Sequence, residues 1–344
     1  MKGIKRLAQH LDISIGTVSR ALNGKPDVNP ETRKRVLEAA EELGYVANQS
    51  GRALRKGQTG VIGFMMQTGS EITGQGDTFF MSVFDGVQAV FARHKLDLVA
   101  LLCSSEEDPY DYLRRMVARG FADGVIISAT RRQDPRIEFL AKRKIPFVAL
   151  GRSLTDAGQA WLDLDFEGMA AASIDRLVAH GHRRIAITRP HDDVNLGYIF
   201  VEQCRAAMAR HGLALDDDCI FSSTPNETGG YQIAQDLLAL KKRPTAVVLV
   251  NETIVIGLYR GLQEAGVMPG RDIAVIGRQS PNSNFLSPRL TSFRLSLHDL
   301  GEALAEALLA TMPEYAKFYP HGVTRKIWPL TLVEGESDAF TLPR

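Results

Sequence analysis

Cysteine is scarce in this chain of 344 residues: there are 3, at Cys103, Cys204 and Cys219. Scattered, odd in number and without metal-ligand spacing, they exclude a disulfide scaffold and a zinc site. They fit ordinary buried thiols in a reducing compartment. No apolar run approaches the roughly 18 residues that a membrane span needs. No hydrophobic stretch follows a charged start either, so a cytoplasmic chain with no membrane partner is expected. Low-complexity tracts and repeats of solenoid period are missing. So are the nucleotide loops GxxxxGK[ST] and GxGxxG, since Gly60-Val61-Ile62-Gly63 lacks the third glycine and precedes a strand. The acidic runs Asp192-Asp193 and Asp216-Asp217-Asp218 fall in loops without His-rich metal spacing and read as solvated turns. No enzyme is expected, and no cofactor or metal.

What is present begins at the N-terminus. Ile4, Leu7, Ala8 and Leu11 lie on one face of a helix with period 3.6. Asp12-Ile13-Ser14 breaks that pattern, and Ser14 is placed to cap a second short helix, Ile15 to Leu22. Asn29-Pro30 opens a third, which runs through Val36, Ala40 and Leu43 and stops at Gly44. A shared core of Leu7, Val18, Leu22, Val36 and Leu43 leaves one face of the second helix free, carrying Ile15, Gly16, Thr17, Ser19 and Arg20. Such a face can enter a major groove.

Charge agrees with this reading. Residues 1–57 hold 11 Lys+Arg against 6 Asp+Glu, while the remainder holds 30 against 34. A net of +1 therefore hides a basic head on a mildly acidic body, and local positive charge is what phosphate binding by counterion release requires.

From residue 58 onward, β-branched runs alternate with amphipathic stretches. Strands are expected at Val61–Met65, Leu96–Leu102, Gly124–Ile127, Phe147–Leu150, Ile185–Thr188, Ala246–Val250 and Ile273–Ile276. Helices are expected at Phe80–His94, Gly168–His180, Val201–His211, Gly230–Leu240 and Thr253–Ala265. This alternation predicts parallel sheets covered by helices. So many strands would overfill a single sheet, so two α/β lobes are expected, with a small-molecule cleft between them.

Ile4-Lys5-Arg6-Leu7-Ala8, Ser14-Ile15-Gly16-Thr17-Val18-Ser19-Arg20-Ala21-Leu22-Asn23 and Val36 to Asn48 together resemble the head of the LacI/GalR family of bacterial repressors. The body continues the likeness in Gly120 to Ile126, Lys144 to Val148, His180 to Ala186 and Pro288 to Ser292, so that it spans about residues 4 to 337. The resemblance implies an N-terminal all-α helix-turn-helix domain, 1–46, and a hinge, 47–57. It further implies a two-lobed periplasmic-binding-protein-like domain, 58–344, for effector binding and dimerisation. The lobes are expected as 58–153 with 291–322, and 154–290 with 323–340. Expected partners are a near-palindromic operator, a carbohydrate effector and a second copy of the chain.

By the same resemblance, Ile15, Gly16 and Arg20 read bases, while Thr17, Ser19 and Asn23 meet phosphates. Local capping is the alternative role for Thr17 and Ser19. Asn48 lies in the hinge, and Leu54 is the minor-groove wedge. Two hinge positions depart from the family pattern: Ala47 stands where proline is usual, and Gly51 sits inside the expected hinge helix. Glycine disfavours that helix by about 1 kcal/mol relative to alanine, so Gly51→Ala is expected to tighten operator binding.

In the body, Phe79 and Phe80 fall on the family's aromatic pair, and Ser128 and Asn251 on polar pocket positions. Asn195 and Tyr198 are further candidates. The usual arginine and aspartate anchors fall on Phe200 and Gln279, so both charged groups are replaced there. Arg278 and Asp165 are possible substitutes, and plain core packing also accounts for Phe79 and Phe200. Coupling to DNA would follow from unequal affinity for two lobe arrangements, with either sign allowed. The competing class is a transporter's solute-binding protein of the same two-lobed body, against which the DNA-reading head speaks.

Overall fold

The computed structural model describes residues 3–22, 24–45, 58–68, 78–190 and 193–339. It divides into two compact units, Met1–Gly60 and Val61–Arg344.

The first unit is three helices: α1 (Ile4–Leu11), α2 (Ile15–Leu22) and α3 (Pro30–Glu42). Each boundary has a local cause. Asp12, at φ 52°, turns the chain left-handed after α1, a conformation that a short polar side chain tolerates. Ser14 Oγ accepts the Thr17 backbone N–H at 3.0 Å, which caps α2. Asn29 Oδ1 accepts from Glu31 N at 2.8 Å ahead of Pro30, and Gly44, at φ 59°, ends the helix run. Leu7, Val18 and Val36 are fully buried, with Ala8, Ala21, Val28, Ala39 and Ala40 around them. Leu22 and Leu43, expected at the centre, are only partly buried at its edge. Alanines in the centre let three short helices approach closely enough to close so small a core.

The second unit is two six-stranded sheets. The first has strands β1 (Val61–Thr68), β2 (Asp97–Ser104), β3 (Gly124–Ile127), β4 (Phe147–Leu150), β5 (Ala160–Leu164) and β11 (Arg325–Trp328), in the order β11-β5-β4-β3-β1-β2. The second has β6 (Ile185–Pro190), β7 (Ile220–Ser223), β8 (Ala246–Val248), β9 (Ala274–Arg278), β10 (Thr291–Arg294) and β12 (Thr331–Val333), in the order β12-β10-β9-β8-β6-β7. Every pairing is parallel except β10 with β12.

Around the first sheet lie α4 (Thr78–Arg93), α5 (Pro109–Ala118), α6 (Pro135–Arg143) and α11 (Leu297–Thr311). The second carries α7 (Phe166–Ala179), α8 (Asn195–Arg210), α9 (Glu227–Ala239) and α10 (Ile254–Glu264). Parallel strands buried on both faces explain the runs of Val and Ile. No helix among the described residues is long and apolar enough to cross a membrane.

The division of the lobes differs from expectation in three places. β5 lies in the first sheet, with Ala149 beside Trp161. β10 lies in the second, with Ser292 beside Gly277. β11 returns to the first, with Lys326 beside Leu162. The chain therefore crosses between lobes near Asp165, between Arg294 and Leu297, and between Trp328 and Thr331. Backbone pairing decides membership here. Strands of three to five residues with charged members, such as Arg325-Lys326-Ile327-Trp328, carry little periodic signal.

Candidate functional site

On the exposed side of α2, Ile15 keeps 42% of its surface free; Gly16 and Arg20 are exposed, and Thr17 and Ser19 are half-buried. The Thr17 hydroxyl lies 2.9 Å from Ser14 Oγ, so it serves the helix cap. Arg20 Nε sits 3.7 Å from Asp27 Oδ2, both side chains being more than half exposed. An open pair of this kind contributes little and yields readily to a stronger partner. Asn23, Asn48 and Leu54 lie outside the described residues, as do Ala47 and Gly51.

The body holds a cavity of about 280 Å³ between its lobes, at the carboxyl ends of the strands. That is where open α/β sheets present loops and polar groups to a ligand. The first lobe contributes Phe79 and Phe80 from the start of α4, Ser128 after β3, Arg152 after β4 and Asp163 from β5. The second contributes Pro190 at the end of β6, Asn251 and Glu252 after β8, and Arg278 at the end of β9. Of the residues expected from sequence, Phe79, Phe80, Ser128 and Asn251 line the cavity; Asn195, Tyr198, Phe200 and Gln279 do not.

Each of those four has another place. Phe200 is fully buried in the core of the second lobe, the packing role that sequence left open. Gln279 follows Arg278 on a β-strand end, where neighbouring side chains face opposite ways; its amide donates to Asn284 Oδ1 at 2.9 Å. The Tyr198 hydroxyl donates to Asp193, and its ring receives the Arg132 guanidinium at 4.7 Å. Asn195 ties the lobes together: its backbone N–H reaches Thr130 O at 2.8 Å, and its Nδ2 donates to Arg152 O at 2.9 Å. An Arg131–Val194 bridge and an Arg132–Glu202 ion pair at 3.0 Å reinforce that junction.

Two charged arrangements form the polar walls. Arg152 Nε donates to Asp163 Oδ2 at 2.7 Å, and its Nη2 to Glu167 Oε1 at 2.6 Å. Burial pushes the Asp163 carboxyl up, against the pull of the Arg152 guanidinium. Across the cleft, Arg278 Nη1 lies 3.2 Å from Glu252 Oε2, and its guanidinium carbon sits 5.3 Å from the Phe79 ring centroid. Arg278 is only 7% exposed, and its buried Nε has no hydrogen-bond partner among the described residues.

The loop that presents Ser128 and Thr130 is held from beneath. Buried Arg136 pairs with buried Asp134 at 2.6 Å and donates to the carbonyls of Ser128 and Ala129 at 3.1 Å. Asp163 was not singled out from sequence. Acidic side chains away from a motif read as solvated until a fold buries them. The run Asp216-Asp217-Asp218 is exposed, as read from sequence, and forms surface ion pairs with Arg184 and Arg205.

Residues 3–48 match the family model described as bacterial regulatory proteins, lacI family, and residues 174–337 match a periplasmic binding protein-like domain. A DNA-binding head of this type with a two-lobed body defines a transcriptional regulator. The HTH-type transcriptional regulator AglR of Rhizobium meliloti is 35% identical over 89% of this chain and 86% of its own length. The chain belongs to the LacI family.

A LacI family transcriptional regulator from Enterococcus faecium, solved with bound ribose, is 25% identical, with a TM-score of 0.67 over 81% of this chain and 98% of that one. The lac repressor dimer bound to operator and the anti-inducer ONPF shares the fold. Its TM-score is 0.82 over 97% of this chain and 98% of that one, at 20% identity.

Proposed function

We propose that this regulator is a repressor that binds a near-palindromic operator as a homodimer, with its affinity set by a carbohydrate held between the lobes of the body. The observation that carries this reading is the interlobe cavity, whose aromatic, hydroxyl, amide and charged walls come from both lobes. A ligand touching both walls favours one lobe arrangement, and it shifts DNA affinity by its unequal affinity for the two. The bound ribose of the Enterococcus faecium relative supports a sugar as the ligand class.

On the DNA side, Ile15, Gly16 and Arg20 take the base edges. Thr17, Ser19 and Asn23 hold the backbone, and Asn48 and Leu54 act in the hinge. On the effector side, Phe79, Phe80, Ser128 and Asn251 are joined by Arg278 and Glu252, in place of Phe200 and Gln279.

Selection of bound DNA from a random pool with the full chain tests the first half. Two inverted half-sites about one helical turn apart are expected from a C2 dimer. A single unpaired site would contradict the dimeric reading. Titration of saccharides against the selected operator, followed by fluorescence anisotropy, tests the second.

A further inference from the structure

We infer that the effector is an uncharged polyhydroxyl compound, and that the Arg278–Glu252 pair excludes sugar acids and sugar phosphates while offering one N–H to a neutral sugar oxygen. This inference rests on the carbohydrate reading of the cavity and narrows it.

Cationic charge in the cavity is already balanced within the protein. The cavity is lined by the guanidinium groups of Arg152 and Arg278 and by the carboxyl groups of Asp163, Glu227 and Glu252. Both guanidinium groups are already engaged, Arg152 by Asp163 and Glu167 and Arg278 by Glu252. Among the described residues lining the cavity, an entering carboxylate or phosphate would find no unpaired arginine. It would have to displace a carboxylate from a buried pair or lie beside one, and like charges at short range repel. A neutral ligand disturbs neither pair. Discrimination of this kind comes from the repulsive element as much as from the attractive one.

One donor at the cavity wall is also left over. Arg278 Nε is buried and lacks a hydrogen-bond partner among the described residues, while its Nη1 lies 3.2 Å from Glu252 Oε2 and its guanidinium carbon 5.3 Å from the Phe79 ring centroid. A buried N–H needs an acceptor. A hydroxyl or ring oxygen supplies one without bringing charge. Because Arg278 belongs to the second lobe and Phe79 to the first, a sugar oxygen on Nε would also steady a contact that spans the cleft.

The test is a thermal-shift and calorimetric comparison on the full chain. Maltose, cellobiose and sucrose serve as neutral probes, with glucuronate and glucose 6-phosphate as anionic ones. At least one neutral disaccharide is expected to raise the melting temperature and neither anion to do so. Glu252→Gln leaves Arg278 without its carboxylate and is expected to improve glucuronate binding at least tenfold. The double variant Arg278→Met/Glu252→Gln removes both charges together and is expected to weaken the neutral disaccharide at least tenfold. The melting of each unliganded variant, followed by circular dichroism, identifies any that fails to fold.

A shift with an anionic probe and none with neutral ones would overturn the inference and leave the carbohydrate reading standing. No shift with either class would overturn both. Neutral binding undiminished in the folded double variant would overturn the role of Arg278 and Glu252.

Discussion

Arg20 stands on α2 with its guanidinium loosely tethered to Asp27 across 3.7 Å, while the neighbouring position, Gly16, brings no side chain to a groove. A Cβ there would meet only Ser14 Oγ at 3.6 Å, so the position has room that this protein leaves unused. On the proposed reading, base discrimination by α2 concentrates on Arg20. Arg20→Ala is expected to cost about 1–3 kcal/mol at one base pair, the range of a bidentate arginine–guanine contact. Competition between the selected operator and its point variants would reveal this as a loss of preference at that base alone.

A second residue-scale expectation concerns Cys103, Cys204 and Cys219, all buried. Burial pushes every one of these thiols up, Cys219 to about 11. Since only the thiolate reacts, an aromatic disulfide reagent is expected to label none of the three in the folded protein at neutral pH and all three after unfolding. Rapid labelling of a native cysteine would contradict the packing described.

At this scale the sequence was legible where a motif fixed a role and opaque where burial did. Phe79, Phe80, Ser128 and Asn251 stand at the ends of strands or helices whose periodicity was plain. Arg278 was legible as one substitute anchor among others, but its pairing with Glu252 was not, since only β9 and the turn after β8 bring the two within 3.2 Å.

Among the elements, the three head helices were readable almost to the residue, because caps at Ser14, Asn29 and Gly44 mark their ends chemically. Strands β1, β3 and β4 were readable as continuous apolar runs. β5 was not, since Ala160-Trp161-Leu162-Asp163-Leu164 interrupts its apolar run with an aspartate that the Arg152 guanidinium and the Leu164 backbone N–H make tolerable inside. Helix packing adds a constraint that no periodicity conveys. Gly86 on α4 and Gly301 on α11 let the two backbones touch: a Cβ on Gly86 would overlap the His298 carbonyl, and one on Gly301 the Val83 carbonyl. Gly86→Ala is therefore expected to destabilise the body by about 1–3 kcal/mol through overpacking, despite alanine's better helix propensity. Urea unfolding monitored by far-UV circular dichroism would measure it. An unchanged or raised midpoint would show that the helices can separate at no cost.

For the whole molecule, three crossings of the chain between the lobes make the body two packed units sharing one cleft. The cleft is braced on one side by Asn195, Arg131 and Val194, and by the Arg132–Glu202 pair. Across it, Arg278 of the second lobe stacks on Phe79 of the first. Neither the crossings nor these contacts could be read from composition, because they join residues far apart in sequence through loops with no periodic signature. They give a ligand in the cavity something to act upon: groups on two bodies whose relative arrangement it can favour. On the proposed reading, the effect on DNA is bounded by how differently the ligand binds the two arrangements, and couplings of this kind usually amount to about 1–3 kcal/mol.

The most direct measurement is operator affinity by fluorescence anisotropy, with and without a disaccharide shown by calorimetry to saturate the same preparation. A shift of about 5- to 150-fold in the dissociation constant, the span of such couplings, is predicted, and it should disappear in the Arg278→Met/Glu252→Gln variant at the same sugar concentration. An operator affinity unchanged by a saturating, demonstrably bound sugar would contradict the account at its centre.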